Sequence, residues 1–465
     1  MEFEPSSGFL RLPSLAHRTL LASLLLAPFT TGASAQAVRL APGIEQLAER
    51  ELLAESATGG VVALITGNSP VTLAAVGHQD AQRNVPMQAD LLFGTGGFDD
   101  VLTALATVLL ARDGTVALHA PIRTYAPDLP PRIGSVTLVQ LLSHTAGLDD
   151  AEDDPAPRPR PGSRIWPGAT DRALFTEPGR IYSHSRYSYF LARAILSEVT
   201  GRPFSDLIHE RILVPAGMER STFDGTAAEA MGAAPGYLIT SDAEGPVRPL
   251  RPSESPLRQL YATAGDIARL LQLGMGESDG VSPVAAFDTL IAARAALPVI
   301  PGDSVAFGLR VRRFRGARQL SYESTIAGYG TLVRFIPDAR VGVVMFGNAT
   351  GAVLRTTADT LLSALLRNAG YAMGDDSAIL AEPDMTDDPA VYAGTYANGD
   401  RIVVLEVHQG ELHWRDGDIL LRVRREGTRL DVLVPDGRIA QVLHFARDAE
   451  GASYLFVGNR AYRRE

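Results

Sequence analysis

The residues able to carry chemistry in this chain are restricted in type. Cys is absent, and so is Lys, so all 43 strongly basic residues are Arg. Without Cys there is no thiol nucleophile, no disulfide and no thiolate metal site. Without Lys there is no Schiff base, no P-loop lysine and no Ser–Lys dyad. GC-rich coding bias is the plain explanation of the missing Lys. What remains is His, carboxylate, Ser and Tyr chemistry. His184 and Asp100 would form an acid–base couple if the fold joins them, because a carboxylate raises and orients a neighbouring imidazole. The plainer reading of His184 is a pocket residue without a role. Asp99 and Asp100 would otherwise cap a helix N-terminus, Asp99 as the N-cap, and favour its dipole. Ser183 and Ser185 flank His184, but no known geometry makes either a nucleophile. Tyr322 would donate a hydrogen bond into a pocket. His408, His413 and His444 are not spaced as metal ligands, and no metal or cofactor is expected.

The elements that must position these groups follow from apolar periodicity. Residues 59–76 predict two strands around a Gly-Asn-Ser-Pro turn, and 99–112 a helix. Residues 187–199 and 205–213 predict helices around a Gly-Arg-Pro break. Residues 265–273 and 352–369 also look helical, and 330–347 predicts a hairpin whose second strand is wholly apolar, hence buried. Residues 151–162 are Pro-rich and charged, an exposed loop. The arginines of 310–318 predict a solvated edge strand and loop, or else contact with an anionic envelope polymer. An acidic linker, 376–390, precedes alternating short strands in 391–465, a small antiparallel sheet or barrel. The net charge of −10 argues against a nucleic-acid partner. Arg11 and Arg18, the apolar run Leu20 to Phe29 and Ala33-Ser34-Ala35 read as an export signal over 1–35. The apolar run is too short to span a bilayer, and no later segment predicts a transmembrane helix. The expected location is periplasmic or secreted.

Landmarks in order then carry a resemblance. Residues 136–148 (VTLVQLLSHTAGL), 178–191 (PGRIYSHSRYSYFL), 210–218 (ERILVPAGM) and 338–348 (DARVGVVMFGN) resemble segments of the serine β-lactamase and penicillin-binding-protein superfamily, in its class C-like branch of esterases and D-amino-acid peptidases. The resemblance covers about 55–375. It implies an α+β fold: a β-lactamase-like domain over 36–375, with an antiparallel sheet flanked by helices, followed by an all-β barrel-like domain. It also implies that His144 holds a turn.

In that superfamily a Ser attacks the acyl carbonyl, a Lys one helical turn later assists, a Tyr–Asn motif relays the proton, and a third motif on a strand backs the oxyanion hole. Laid on this chain, the nucleophile falls on Gly97 and the lysine on Asp100. The Tyr-x-Asn positions fall on His184 and Arg186. The third motif falls near Tyr322, Glu323 and Ser324, within one or two residues. Exchanging Lys for Asp swings the local charge by two units. Each unit is worth about 3 kcal/mol at ~6 Å and an effective dielectric of ~20, before salt screening. Asp99, Asp100 and Glu323 should repel a carboxylate, and Arg186 partly offsets this. The resemblance with these losses implies an exported non-catalytic relative that binds a peptide, a cell-wall fragment or a protein partner in the former cleft. Two alternatives stay open: a hydrolase in which His184, Asp100 or Glu323 activates water, and a scaffold acting through its C-terminal β domain.

Overall fold

The computed structural model describes residues 26–27, 38–80, 82–149, 174–238, 248–254, 259–276, 282–298, 300, 302–374, 376, 387–426 and 429–465. Most of the signal at 1–35, the loop at 151–162 and most of the linker at 376–390 lie outside them.

The main sheet has nine antiparallel strands. In chain order they are β1 (Gly59–Thr66), β2 (Thr72–Asp80), β3 (Val85–Pro86), β4 (Ala295–Ala296), β5 (Ser304–Val305), β6 (Arg310–Phe314), β7 (Ala317–Ile326), β8 (Tyr329–Ile336) and β9 (Val341–Gly347). Across the sheet they run β4-β5-β6-β7-β8-β9-β1-β2-β3. Every residue of β8 and β9 is buried, which fits their continuous apolar runs covered on both faces.

Six longer helices matter here: α1 (Pro42–Ala54), α2 (Phe98–Arg112), α3 (Arg186–Thr200), α4 (Ala264–Gly274), α5 (Ser282–Ile291) and α6 (Arg355–Asn368). Residues of α1 and α6 pack in one apolar cluster against Val62, Leu64 and Val343. Residues of α2, α3, α4 and α5 pack in another, larger cluster with Val61, Ala63 and Val344. Alternate strand residues therefore feed opposite faces, as the two-residue period requires.

The last strands are β10 (Gly394–Asn398), β11 (Arg401–His408), β12 (Glu411–Asp416), β13 (Ile419–Glu426), β14 (Arg429–Leu433), β15 (Ile439–Arg447), β16 (Ser453–Val457) and β17 (Arg460–Arg464). They close into an eight-stranded barrel filled by its own side chains, Tyr396, Leu405 and Leu443 among them.

Two expectations need correction. β6 is not an edge strand, since β5 and β4 lie outside it. Its arginines tolerate this because Arg310 pairs with Asp303 and Arg312 with Asp359. Nor is Asp99 the N-cap of α2. That position is Gly97, which offers no side chain, and Asp99 is buried inside the first turn.

Candidate active-site cleft

The N-terminus of α2 is held against β7 by two glycines. Gly96 has φ +62°, and a Cβ there would overlap Ser324 Oγ. A Cβ on Gly97 would stand 2.7 Å from the Tyr322 hydroxyl and 3.4 Å from Asp100 Oδ2. The backbone and the strand thus come this close only where no side chain intervenes. The Gly97 N–H donates to Ser324 Oγ at 3.3 Å. The Phe98 ring meets Tyr322 edge-on, with centroids 5.5 Å apart. Tyr322 and Ser324 share the face toward α2. Glu323, between them, turns to the opposite face and pairs with Arg355 at the start of α6. Its charge is therefore not in the cleft, which corrects the expectation that it would repel a ligand there.

Asp100 meets a cation that the sequence reading did not name. Arg193, halfway along α3, places Nη1 2.8 Å from Asp99 Oδ2 and Nη2 on Asp100 Oδ1, while its Nε donates to Thr103 Oγ1 at 3.0 Å. Two carboxylates and one guanidinium leave one surplus negative charge. Burial is the largest influence on both acids and raises both; Arg193 opposes it, and Asp100 ends at about 7. The Tyr189 and Tyr322 hydroxyls are held well above their ordinary value, first by burial and then by Asp100. A sequence signal for Arg193 existed: it lies seven residues after Arg186, two turns along one helix face.

The segment before α3 is fixed by a turn and by the barrel. His144 has φ +55°, and its Nδ1 accepts from the Ser185 N–H at 3.3 Å. Burial first, then His184, holds its imidazole well below the usual range, so it stays neutral. That is the turn-holding role the resemblance implied. The His184 ring lies 4.7 Å from the His144 ring, and the His184 N–H donates to the Asn459 carbonyl at 2.9 Å. Ser183 Oγ accepts from the Ala461 N–H at 3.1 Å, and Ser185 Oγ donates to the Asp149 carbonyl at 3.5 Å. Arg186 opens α3. The barrel hairpin β16–β17 therefore packs against the segment that opens α3. Ile181 and Tyr182 pack with Tyr454, Phe456 and Ala461, and Thr176 bonds the Tyr454 hydroxyl at 2.9 Å.

A nine-stranded sheet between helical layers, with a helix N-terminus set against an inner strand, defines the β-lactamase type of fold. The chain belongs to the beta-lactamase family, whose model matches residues 45–367. It is 28% identical over 197 residues to the D-alanyl-D-alanine-carboxypeptidase/endopeptidase AmpH of Escherichia coli K12, covering 39% of this chain and 49% of that one. It is 28% identical over 306 residues to the esterase EstB of Burkholderia gladioli, covering 60% and 75%. The match to AmpH thus spans about half of that relative's length. Among solved structures, SurE superposes with a TM-score of 0.71 at 21% identity, covering 91% of this chain and 98% of that one. The D-amino acid amidase of Ochrobactrum anthropi superposes at 0.59 and 22%, covering 70% and 97%. Among the described residues no helix is long and apolar enough to cross a membrane.

Proposed function

We propose that this chain is an exported, non-catalytic member of the family that binds a peptide, a cell-wall fragment or a protein partner in the former cleft. One observation carries the reading. The position that should hold a nucleophile is Gly97, and the Tyr322 hydroxyl fills the space its side chain would need. Asp100 adds to it: a half-buried carboxyl, paired to Arg193, stands where a lysine would assist deprotonation. The reading takes the chain as an export signal (1–35), the β-lactamase-like domain (36–375), a linker (376–390) and the β domain (391–465). Incubation with a fluorescent penicillin, followed by intact mass measurement, tests it. No covalent adduct is expected, and a stoichiometric adduct overturns it.

A second reading rests on a different observation. A carboxyl pushed up to about 7 can exchange a proton near neutral pH, as a general base must. In that case Asp100 activates water for hydrolysis of an ester, an amide or a D-amino-acid peptide; the couple with His184 expected from the sequence is not formed in the structure, where Asp100 pairs with Arg193 and the His184 ring lies against His144. Turnover of such substrates that Asp100→Asn and His184→Ala both remove would favour it over binding alone.

A further inference from the structure

On the face of the sheet away from Gly97, a cleft of about 450 Å³ opens beside β6. Arg310, Arg312, Arg313 and Arg315 line it with Asp303, Asp359 and Asp376. Arg334, from β8, shares Asp359 with Arg312. Among the described residues, five arginines thus meet three aspartates, a surplus of two positive charges. The aspartates are already engaged. Asp303 takes Arg310, and Asp359 takes Arg312 and Arg334. Asp376 accepts from the backbone N–H groups of Arg315 (2.7 Å) and Gly316 (2.8 Å). Its carboxylate is thereby spent on the hairpin turn. Among the described residues, the Arg315 guanidinium meets only the Phe314 ring, 6.0 Å from its centroid, and Arg312 lies 5.5 Å from the same ring. Burial first and then Arg334 hold the Arg312 guanidinium below its ordinary value, against the pull of Asp359, and its Nε donates to Gln319 Oε1.

We propose that this cleft is a binding site for an organic phosphate, the anionic group held by the Arg315 fork with the remaining N–H groups of Arg312, and the organic body resting on Phe314 and Ile300. Guanidinium forks match phosphate oxygens in pairs, and the volume suits a small ligand rather than a bare ion. A free sugar phosphate and the phosphorylated end of a polymer offer the same chemistry.

Calorimetric titration of the full chain at low salt tests the proposal, with glucose 1-phosphate, glucose and inorganic phosphate as probes. Glucose 1-phosphate should bind, glucose should not, and inorganic phosphate should bind at least fivefold more weakly. Arg315→Gln keeps both backbone donors to Asp376, so the turn stays intact, and it should weaken binding about tenfold. Arg438→Gln, in an exposed barrel turn, should change nothing. Displacement of bound glucose 1-phosphate by poly(glycerol phosphate) would identify the polymer end as the source, and no displacement the small ester. Absence of binding, equal affinity for inorganic phosphate, or equal loss in Arg315→Gln and Arg438→Gln overturns the proposal.

Discussion

At the scale of single residues, the two positions that carry the proposal, Gly97 and Asp100, pose a packing question and an electrostatic one. Placing a serine at 97 shows the first. Gly97→Ser must push against the Tyr322 hydroxyl, an overpacking that costs about 1–3 kcal/mol. The expected result is a lower urea midpoint without acylation, and a Gly97→Ser, Tyr322→Ala double variant that loses less than the sum of the two singles. Asp100 shows the second. Its folded value of about 7 lies above its ordinary 3.8, so between these limits the folded chain holds a proton that the unfolded chain releases. Stability contributed by this group is therefore full below pH 4 and falls as pH rises to about 7. Asp100→Asn should raise the melting temperature by a few degrees at pH 8 relative to the parent, with the gap closing toward pH 5. A constant gap across that range would refute the assignment. Arg193→Ala should be severe, about 3–5 kcal/mol, because it strands the buried Asp99 carboxylate beside the half-buried Asp100.

At the scale of elements, much was legible. The helix over 98–112, the buried hairpin strand at 341–347 and the alternating strands after 391 follow from apolar period alone. The register of β7 was legible only to within two residues, because Tyr322, Glu323 and Ser324 each suit a pocket by type. The pleat decides it, sending 322 and 324 toward α2 and 323 toward α6. Arg193 was missed because the spacing from Arg186 marks only a shared helix face, while its partners lie 93 and 94 residues earlier in the chain. The edge placement of 310–318 failed for a related reason. Charge suggested solvent, while distant Asp359 supplied the pairing that lets an arginine strand sit inside a sheet. The barrel's contact with Ile181 and Tyr182 was likewise invisible from sequence. Its consequence is measurable: removing 388–465 uncovers that apolar cluster, and the remaining chain should aggregate on size-exclusion chromatography instead of eluting as a compact monomer. Recovery of a soluble, cooperatively melting 36–387 fragment would contradict this.

At the scale of the whole molecule, composition and fold now read together. The loss of Lys fits coding drift at most positions, but drift alone would favour Arg at 100, and it leaves Gly97 unexplained. The proposed export, with its signal ending in Ala33-Ser34-Ala35, predicts a mature chain that begins at Gln36, which N-terminal sequencing of the protein from its producing cell would read directly. A chain recovered with its first 35 residues intact would remove export from the proposed function.

The bond from the Ala461 amide to Ser183 Oγ joins residues 278 positions apart. During synthesis, then, the segment that opens α3 leaves the ribosome long before the hairpin that will wall it. At several residues per second, that interval is many seconds in which His184 and Tyr182 lack their permanent neighbours. That side of the segment is completed by a strand made 278 positions later, and a chain that stalls short of residue 461 leaves it uncovered.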